Sequence, residues 1–350
     1  MSRTGRPTLL DVARAVGVSR SSVSYAFSRP ERVSPELRAR VLAAAAELGY
    51  AGPDPAAATL RRGRAGALGV LFTEALSYAF ADPAAVLFLQ GIATVGERAD
   101  VALTLLPVPP GAEGALAAVR GSVIDGAIVY SLPEEHPAVL ALAARRLPLV
   151  RVDMAPAPGA LVVRIDDRGG ARAVAGHVLA RGHRDVGILA DRLSADGFRG
   201  PADRARRRAA TFPVARWRLA GYADALRAAG LDADAAPLFD CGGTTVEDGR
   251  AGALALLDCG RRPTAIVAMT DQLARGALRA AAERGLRVPA DLAVAGFDDL
   301  PEAAAADPPL TTVRQDHLAK GTKAAELLLA AELEPREVVL PTRLVVRAST

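Results

Sequence analysis

The stretch TLLDVARAVGVSRSSVSYAF, residues 8–27, decides how the N-terminal part of this chain folds. Thr8 followed three residues later by Asp11 is typical of a helix N-cap, and apolar residues then recur at helical spacing until Gly17. Ser19 caps a second helix almost immediately. Because glycine accepts the positive φ that a tight turn between two helices needs, this pattern predicts a helix-turn-helix.

The second helix is polar on the face that points away from the first. Val23 and Phe27, four residues apart, are expected to face inward, whereas Arg20, Ser21 and Tyr25 point outward. An arginine on such a face can bind the O6 and N7 atoms of guanine, and short hydroxyl side chains can bind phosphates. The outward face is therefore expected to lie against DNA.

The positive charge of the chain is concentrated at this end. Residues 1–64 hold eleven arginines and five acidic residues, a net charge of +6, whereas the remainder carries a net charge of −2. A third helix is predicted here, capped by Ser34, begun by Pro35 and ended by Gly49. A small arginine-rich helical unit favours a polyanionic partner, although a merely solvated basic terminus would have the same composition.

Length and composition limit what the whole chain can be. With 350 residues, it suits two or three domains. Cys241 and Cys259 do not form a metal-ligand pair, and the four histidines show neither metal nor catalytic-triad spacing. The start MSRTGRPTLL lacks the apolar core of a signal peptide, and no run approaches the roughly 20 apolar residues of a membrane helix. We therefore expect a cytoplasmic protein with no metal, no cofactor and no membrane association.

After Gly66, short apolar runs alternate with amphipathic segments. Runs such as ALGVLF, DGAIVY, DVGILA and AIVAM are typical of buried strands. This alternation predicts parallel sheets with helices on both faces, and the number of strands favours two lobes with a cleft between them. Helices are expected near 83–98, 168–181, 218–229, 246–257 and 271–284.

Three N-terminal stretches, TLLDVARAVGVSRSSVSYAF, VSPELRARVLAAAAELGY and AAATLRRGRAGALGVLF, resemble the lactose-repressor (LacI/GalR) family of bacterial transcription regulators. HVLARGHRDVGIL, RPTAIVAMTDQLARGAL and PPLTTVRQD extend this resemblance over nearly the whole chain. It implies an N-terminal all-α helix-turn-helix head joined by a hinge helix to a two-lobed α/β effector domain similar to periplasmic binding proteins, with parallel sheets and helices on both faces. The implied domains are 1–52 for the head, 53–65 for the hinge and 66–350 for the effector-binding and dimerisation domain, with an N-lobe of about 66–163 and 298–325 and a C-lobe of about 164–297 and 326–350.

The resemblance also assigns roles to residues of the head and hinge. Arg20, Ser21 and Tyr25 would contact bases in the major groove, and Leu60 would enter the minor groove at the operator centre. A hinge this short would fold only against a partner or DNA. Each hydroxyl residue is equally explained as a helix cap or a solvated side chain, and Leu60 as a buried linker residue. The implied phosphate contacts are Thr8, Ser19, Ser24, Ser28 and Ser34.

Four residues are placed in the ligand cleft by the same resemblance. Arg218 would donate to ligand hydroxyls and Asp298 would accept from them, a pair that suits a sugar or related metabolite. Phe80 would form an apolar wall of the cleft. Thr270 departs from the family pattern, because MTD replaces the common ND pair. An ion pair between the lobes or at a helix terminus is the alternative explanation of Arg218 and Asp298.

The arginine-rich segment 199–218 is longer than the connection usual in the family. It either covers the cleft and binds an acidic ligand, or forms a solvated, mobile loop.

These features predict a ligand-responsive DNA-binding regulator. The simplest form is a repressor that binds a near-palindromic operator as a homodimer, because a single head buries too little surface for tight binding. An activator or dual regulator needs the same contacts. A solute-binding receptor without a DNA role is a further alternative, against which the basic head argues. Catalysis is not expected, because adjacent acids such as Asp166 and Asp167 point to opposite faces of a strand.

Overall fold

The computed structural model describes residues 7–52, 64–73, 75–109, 113–330 and 334–350. The chain divides into two compact units, Met1–Ala65 and Gly66–Thr350. Within the described ranges, no helix is both long and apolar enough to cross a membrane.

The first unit contains helices α1 (Leu9–Val16), α2 (Arg20–Ser28) and α3 (Pro35–Leu48), with a short 3-10 helix at Pro30–Arg32. Their ends follow from cap chemistry. The Thr8 backbone N–H donates to Asp11 at 2.9 Å, the Ser19 hydroxyl accepts from Ser22 N–H, and Gly17 ends α1 with φ 72°. The turn between α1 and α2 is therefore only three residues long, as its sequence predicts.

A small apolar core holds these helices together. Val12, Val23 and Val41, one from each helix, are fully buried. Two arginines of α3 add directional contacts: Arg38 Nε donates to the carbonyl of Ala26, and Arg40 Nη2 donates to that of Val16. These bonds satisfy carbonyls near the ends of α2 and α1, which lack partners within their own helices. The charge of α3 thus also stabilises the unit.

The second unit alternates helices and strands. Its strands are β1 (Ala67–Phe72), β2 (Ala102–Pro107), β3 (Gly126–Tyr130), β4 (Leu149–Val152), β5 (Leu161–Ile165), β6 (Val186–Ala190), β7 (Gly200–Pro201), β8 (Leu238–Asp240), β9 (Ala265–Ala268), β10 (Ala293–Ala295), β11 (Thr312–Arg314), β12 (Arg336–Leu340) and β13 (Arg343–Val345). Its helices are α4 (Leu76–Ala81), α5 (Pro83–Arg98), α6 (Glu113–Gly121), α7 (Pro137–Ala144), α8 (Asp167–Ala180), α9 (Arg204–Arg208), α10 (Pro213–Ala228), α11 (Val246–Leu257), α12 (Asp271–Glu283), α13 (Pro301–Ala304) and α14 (His317–Leu329).

Two sheets define two lobes. Among the described residues, six parallel strands in the order β12-β5-β4-β3-β1-β2 form the N-lobe sheet. Five further strands, in the order β10-β9-β6-β8-β7, form the C-lobe sheet, in which β7 pairs antiparallel to β8. The pair β11 and β13 forms a separate antiparallel ribbon.

The C-lobe sheet is covered on both faces. Ile188 and Val267 belong to one apolar cluster with residues of α8 and α10, whereas their neighbours Leu189 and Ile266 belong to another with α11 and α12. Successive strand residues point to opposite faces, so a strand buried on both must be apolar throughout. This explains the continuous apolar runs of the sequence.

Glycine allows the helices on these sheets to approach closely. A Cβ on Gly91 of α5 would lie 2.1 Å from the carbonyl oxygen of Leu318 in α14, and a Cβ on Gly321 of α14 would lie 2.0 Å from that of Phe88 in α5. The two helices therefore pack backbone to backbone, which larger residues would prevent.

Two of the predicted lobe boundaries are wrong. Ala303 and Leu310 belong to an apolar cluster of the C-lobe, so residues 298–311 lie there rather than in the N-lobe. Strand β12 pairs in parallel with β5, and α14 packs on α5, so residues 326–330 and 334–340 lie in the N-lobe rather than in the C-lobe. The chain returns to the C-lobe at its end, where Ser349 O accepts from Val294 N–H. Strand pairing between distant segments leaves no local pattern in the sequence, which is why these boundaries were misplaced.

Candidate functional site

The outer face of α2 exposes the predicted base-contacting residues. Arg20 and Ser21 are exposed, and Tyr25 is half-buried beside Arg32, whose guanidinium carbon lies 5.6 Å from the ring centroid. The opposite face, through Val23, is fully buried in the core of the first unit. The helix is thus held by one side and offers polar side chains on the other.

The five predicted phosphate contacts differ in how their hydroxyl groups are used. Ser19 and Ser34 accept backbone N–H groups as caps, and the Ser19 hydroxyl also lies 2.9 Å from that of Ser22. The Thr8 hydroxyl instead donates to Asp11 at 2.7 Å, and that of Ser28 donates to the carbonyl of Ser24 at 2.8 Å. Since phosphate oxygens only accept, these last two would have to exchange an internal bond for an external one. Leu60 lies outside the described residues.

A polar cleft lies between the lobes of the second unit. The N-lobe contributes Asp82, at the start of α5, and Asp153, just after β4; the C-lobe contributes Asp191, after β6, and Arg218 of α10. Asp153 and Asp191 directly follow the last residues of parallel strands. Carboxyl ends of parallel strands are where ligands bind in open α/β sheets. Further lining residues are Thr73, Tyr130, Ser131, Arg192, Phe212, Thr244, Thr270, Gln272, Asp298, Gln315 and His317.

Arg218 is held mainly by the protein itself. Its Nε donates to Asp167 Oδ1 at 2.8 Å, and its Nη1 donates to the Met269 carbonyl oxygen and lies 3.9 Å from Asp298 Oδ1. The guanidinium carbon is 3.7 Å from the centroid of the Phe297 ring. Two of its five N–H groups are therefore engaged, so at most three remain for a ligand. Of the two alternative explanations of this residue, the contact at a helix terminus is present, because Asp167 is the first residue of α8.

Asp298 belongs to the same buried network from the other side. Its Oδ1 accepts from Gln315 Nε2 at 2.6 Å, and Gln315 Oε1 in turn accepts from Lys320 Nζ at 2.6 Å. Lys320 also donates to Asp153 Oδ2 at 2.6 Å. Asp298 adopts φ 127°, a conformation unfavourable for a residue with a side chain, and its backbone N–H donates to the Val313 carbonyl. The network therefore runs from the N-lobe to the C-lobe through a crossing segment.

Of the other two residues predicted for the cleft, one lines it and one does not. Thr270 lines the cleft, where its hydroxyl accepts from Leu273 N–H at 3.2 Å and caps α12. Phe80 is 61% exposed and is not among the lining residues, whereas its neighbour Ala79 is. In this structure the predicted apolar wall is not formed by Phe80, because α4 turns that side chain toward solvent.

Several cleft residues were not found from the sequence. His317 is buried, yet neither ring nitrogen has a hydrogen-bond partner among the described residues; its Nε2 lies 3.7 Å from Asp298 Oδ1. Burial, together with the charge of Asp298, raises the pKa of Asp82 to about 6. Burial also raises the pKa of Asp191. Asp153 Oδ1 is likewise buried without a partner in the described part of the chain.

The arginine-rich segment 199–218 is ordered against the C-lobe. Arg206 binds Asp240 at 2.8 Å, pairs with Asp196, and lies 4.4 Å from the Phe198 ring centroid. Arg207 donates to three backbone carbonyls, those of Ala202, Ala233 and Ala236. The solvated loop is therefore wrong for these two arginines, whose guanidinium groups are bound by carboxylates and carbonyls of the protein. Within the described ranges, no group of His, Cys, Asp and Glu side chains is arranged to hold a metal ion.

Comparison with known proteins adds to this geometry. Residues 8–52 match the bacterial regulatory proteins of the lacI family, and residues 175–350 match a periplasmic binding protein-like domain. The chain is 42% identical to an HTH-type transcriptional regulator of Mycobacterium tuberculosis over 328 residues, which cover 93% of this chain and 90% of the relative.

Two solved structures cover the chain almost completely. The lac repressor dimer bound to operator and the anti-inducer ONPF has a TM-score of 0.77 at 28% identity, covering 99% of each chain. A complex of the transcriptional regulator CelR with cellobiose has a TM-score of 0.70 at 28% identity, covering 99% of this chain and 100% of that one.

Proposed function

Because this chain belongs to the lacI family of bacterial regulatory proteins, a family of DNA-binding transcription regulators, we propose that it is a repressor controlled by a small molecule. In this proposal two copies bind a near-palindromic operator through their heads. A polyhydroxyl ligand, a sugar or a related metabolite, binds the cleft and changes operator affinity.

The observation that carries the DNA-binding part is the orientation of α2. Val23 anchors the helix in the core, while Arg20 and Ser21 are exposed on the outer face. An exposed guanidinium near the start of such a helix can make the bidentate contact with guanine that distinguishes one base pair from another. Homodimers have two-fold symmetry, so two such helices would match the two halves of a near-palindrome.

The proposal of a small-molecule effector rests on the cleft and on a solved structure that is similar to this chain. A structure similar to this chain is a complex with cellobiose. The cleft of this chain offers hydrogen-bonding groups from both lobes, including Asp153, Asp191 and Thr270. Convergent polar groups of this kind suit a ligand with several hydroxyls. A ligand that contacts both lobes binds their closed arrangement preferentially and can therefore shift the equilibrium between two states.

The test begins with the operator. Selection from a random duplex library with the purified protein is expected to yield a near-palindromic consensus. Fluorescence anisotropy then compares the parent with Arg20→Ala on the consensus and on a scrambled duplex. We expect Arg20→Ala to lose about 1–3 kcal/mol per half-site on the consensus and much less on the scrambled duplex.

Arg14→Ala is the matched control, because it removes the same charge from α1. The Arg14 side chain is 73% exposed and pairs with Asp11 at 3.8 Å. This substitution should weaken binding to both duplexes by similar, small factors. If Arg20→Ala loses the same affinity for both duplexes, Arg20 contacts only phosphate. Light scattering showing a monomer that still binds the consensus tightly would contradict the dimer.

A further inference from the structure

The cleft carries an excess of negative charge. Among the described residues that line it, four are carboxylates, whereas two are guanidinium groups, those of Arg192 and Arg218. The carboxylates come from both lobes, so a ligand between the lobes meets them on either side. They are Asp82, Asp153, Asp191 and Asp298.

Two cations near the cleft, Arg218 and Lys320, are already opposed by carboxylates of the protein. Arg218 pairs with Asp167, and Lys320 with Asp153. Arg192 follows Asp191 directly in the chain, and its guanidinium carbon lies 5.3 Å from the ring centroid of Phe212. An anionic ligand would therefore have to compete with buried carboxylates for each of the first two cations.

One open hydrogen-bonding position, on Asp153, requires a ligand group that donates. Asp153 Oδ1 is buried without a hydrogen-bond partner among the described residues, and a carboxylate can only accept. The two nitrogens of His317 are also unpartnered there, and a neutral imidazole offers one donor and one acceptor. Hydroxyl groups can satisfy all these atoms. A phosphate or carboxylate group cannot donate to Asp153.

We infer that the cleft selects a polyhydroxyl ligand that carries no negative charge and rejects phosphorylated and carboxylated derivatives of the same compound. This inference rests on the proposed function of the cleft as the effector site, and it narrows the class of effector. A like charge held about 6 Å from a cleft carboxylate, at an effective dielectric near 20, weakens binding by more than tenfold.

The test uses the full-length protein at pH 7.5 and a panel of matched compounds. Each neutral hexose and disaccharide is accompanied by its phosphate monoester, its uronic acid and its amino derivative, and each cyclitol by its phosphate monoester and its amino derivative. Thermal shift finds the binders, because a ligand of the folded state raises Tm, and calorimetry gives Kd. We expect a neutral or amino compound to bind, and its anionic derivatives to bind at least about tenfold more weakly.

Two other outcomes would count against the inference in different ways. If an anionic derivative binds as tightly as its neutral parent, the charge argument is wrong while the effector site stands. If no compound of the panel binds, the polyhydroxyl effector of the proposed function is itself wrong, and the inference fails with it.

A variant tests whether the carboxylates cause the discrimination. Asp191→Asn keeps the oxygen that accepts from Arg192 N–H but removes a negative charge. We expect it to reduce the ratio of the anionic to the neutral Kd several-fold, whereas Glu97→Gln, on the exposed surface of α5, leaves that ratio unchanged. Asp82→Asn, which can still cap α5, is the second variant if the first does not fold. An unchanged ratio in a folded variant would overturn the assignment.

Discussion

Replacing Arg218 with methionine is expected to destabilise the second unit strongly. The side chain is buried, its Nε binds Asp167, its Nη1 binds the Met269 carbonyl, and its charge lies 3.9 Å from Asp298. Methionine fills a similar volume but leaves two carboxylates without this cation. The substitution therefore separates the charge of the residue from its bulk.

The magnitude follows from the uncompensated charge. Removing one partner of a buried ion pair costs about 3–5 kcal/mol, because the other charge remains buried without compensation. Asp167 is the more affected carboxylate, since its Oδ2 is already buried without a hydrogen-bond partner among the described residues. We therefore expect Arg218→Met to lose about 3–5 kcal/mol of unfolding free energy at pH 7.5.

The assay is urea unfolding followed by tryptophan fluorescence. Trp217 is the single tryptophan of the chain and precedes Arg218 in α10, with the guanidinium carbon of Arg164 5.8 Å from its ring centroid. The signal consequently reports on the C-lobe and not on the head, which contains no tryptophan.

A double variant decides whether the buried charge is the cause. Asp167→Asn removes the carboxylate charge while retaining an oxygen that can accept a hydrogen bond. Arg218→Met combined with Asp167→Asn should recover at least about 1 kcal/mol relative to the sum of the single losses. A loss below about 1 kcal/mol for Arg218→Met, or strict additivity in the double variant, would refute the reasoning.

Three further predictions concern the pH response, helix packing and the hinge. Burial raises the pKa of Asp82 to about 6, so its stabilising contribution is complete below pH 4 and is lost as the pH rises through 6. In urea unfolding at pH 7.5, the free energy of unfolding of Asp82→Asn should accordingly be about 1–2 kcal/mol higher than that of the parent, a figure reduced for partial exposure. At pH 4 the two proteins should be equally stable. Gly91→Ala, whose Cβ would lie 2.1 Å from the Leu318 carbonyl, should lose about 1–3 kcal/mol, whereas Gly176→Ala, with open space around it, should gain up to about 1 kcal/mol. Leu60→Ala should weaken operator binding with and without ligand in anisotropy titrations; parent-like affinity would make the hinge a simple tether.

The head was predictable from its sequence because its structure depends on local chemistry. Thr8, Ser19, Ser34 and Gly17 mark helix ends through bonds or backbone angles within a few residues, and the structure confirms each end. Burial was less predictable than helicity. Leu42 of α3 fits the apolar pattern yet is 37% exposed, because three short helices cannot bury every apolar position.

The cleft was harder to predict because it joins distant segments. Asp153 and Lys320 are 167 residues apart, and no periodicity connects them. A signal was nevertheless present: Lys320 is one of two lysines in the chain and shares a helical face with Ala324 and Leu328, which are buried. A lysine on an apolar face needs a buried partner, so the sequence indicated that a carboxylate would lie nearby, although not which one.

The buried network joins the two lobes through directional hydrogen bonds. Replacing a buried ion pair with apolar residues is often neutral or stabilising, so stability alone does not account for a network that includes Lys320, Gln315 and Asp298. Its bonds are directional: Lys320 to Gln315 and Gln315 to Asp298 are each 2.6 Å long, and they join the N-lobe to the C-lobe through the segment after β11. A rotation of one lobe must therefore break or exchange a bond in the low-dielectric interior, where an unpaired polar group is costly. We therefore expect a ligand that contacts Asp153 or Asp298 to act on the same atoms and to change which arrangement of the lobes is favoured.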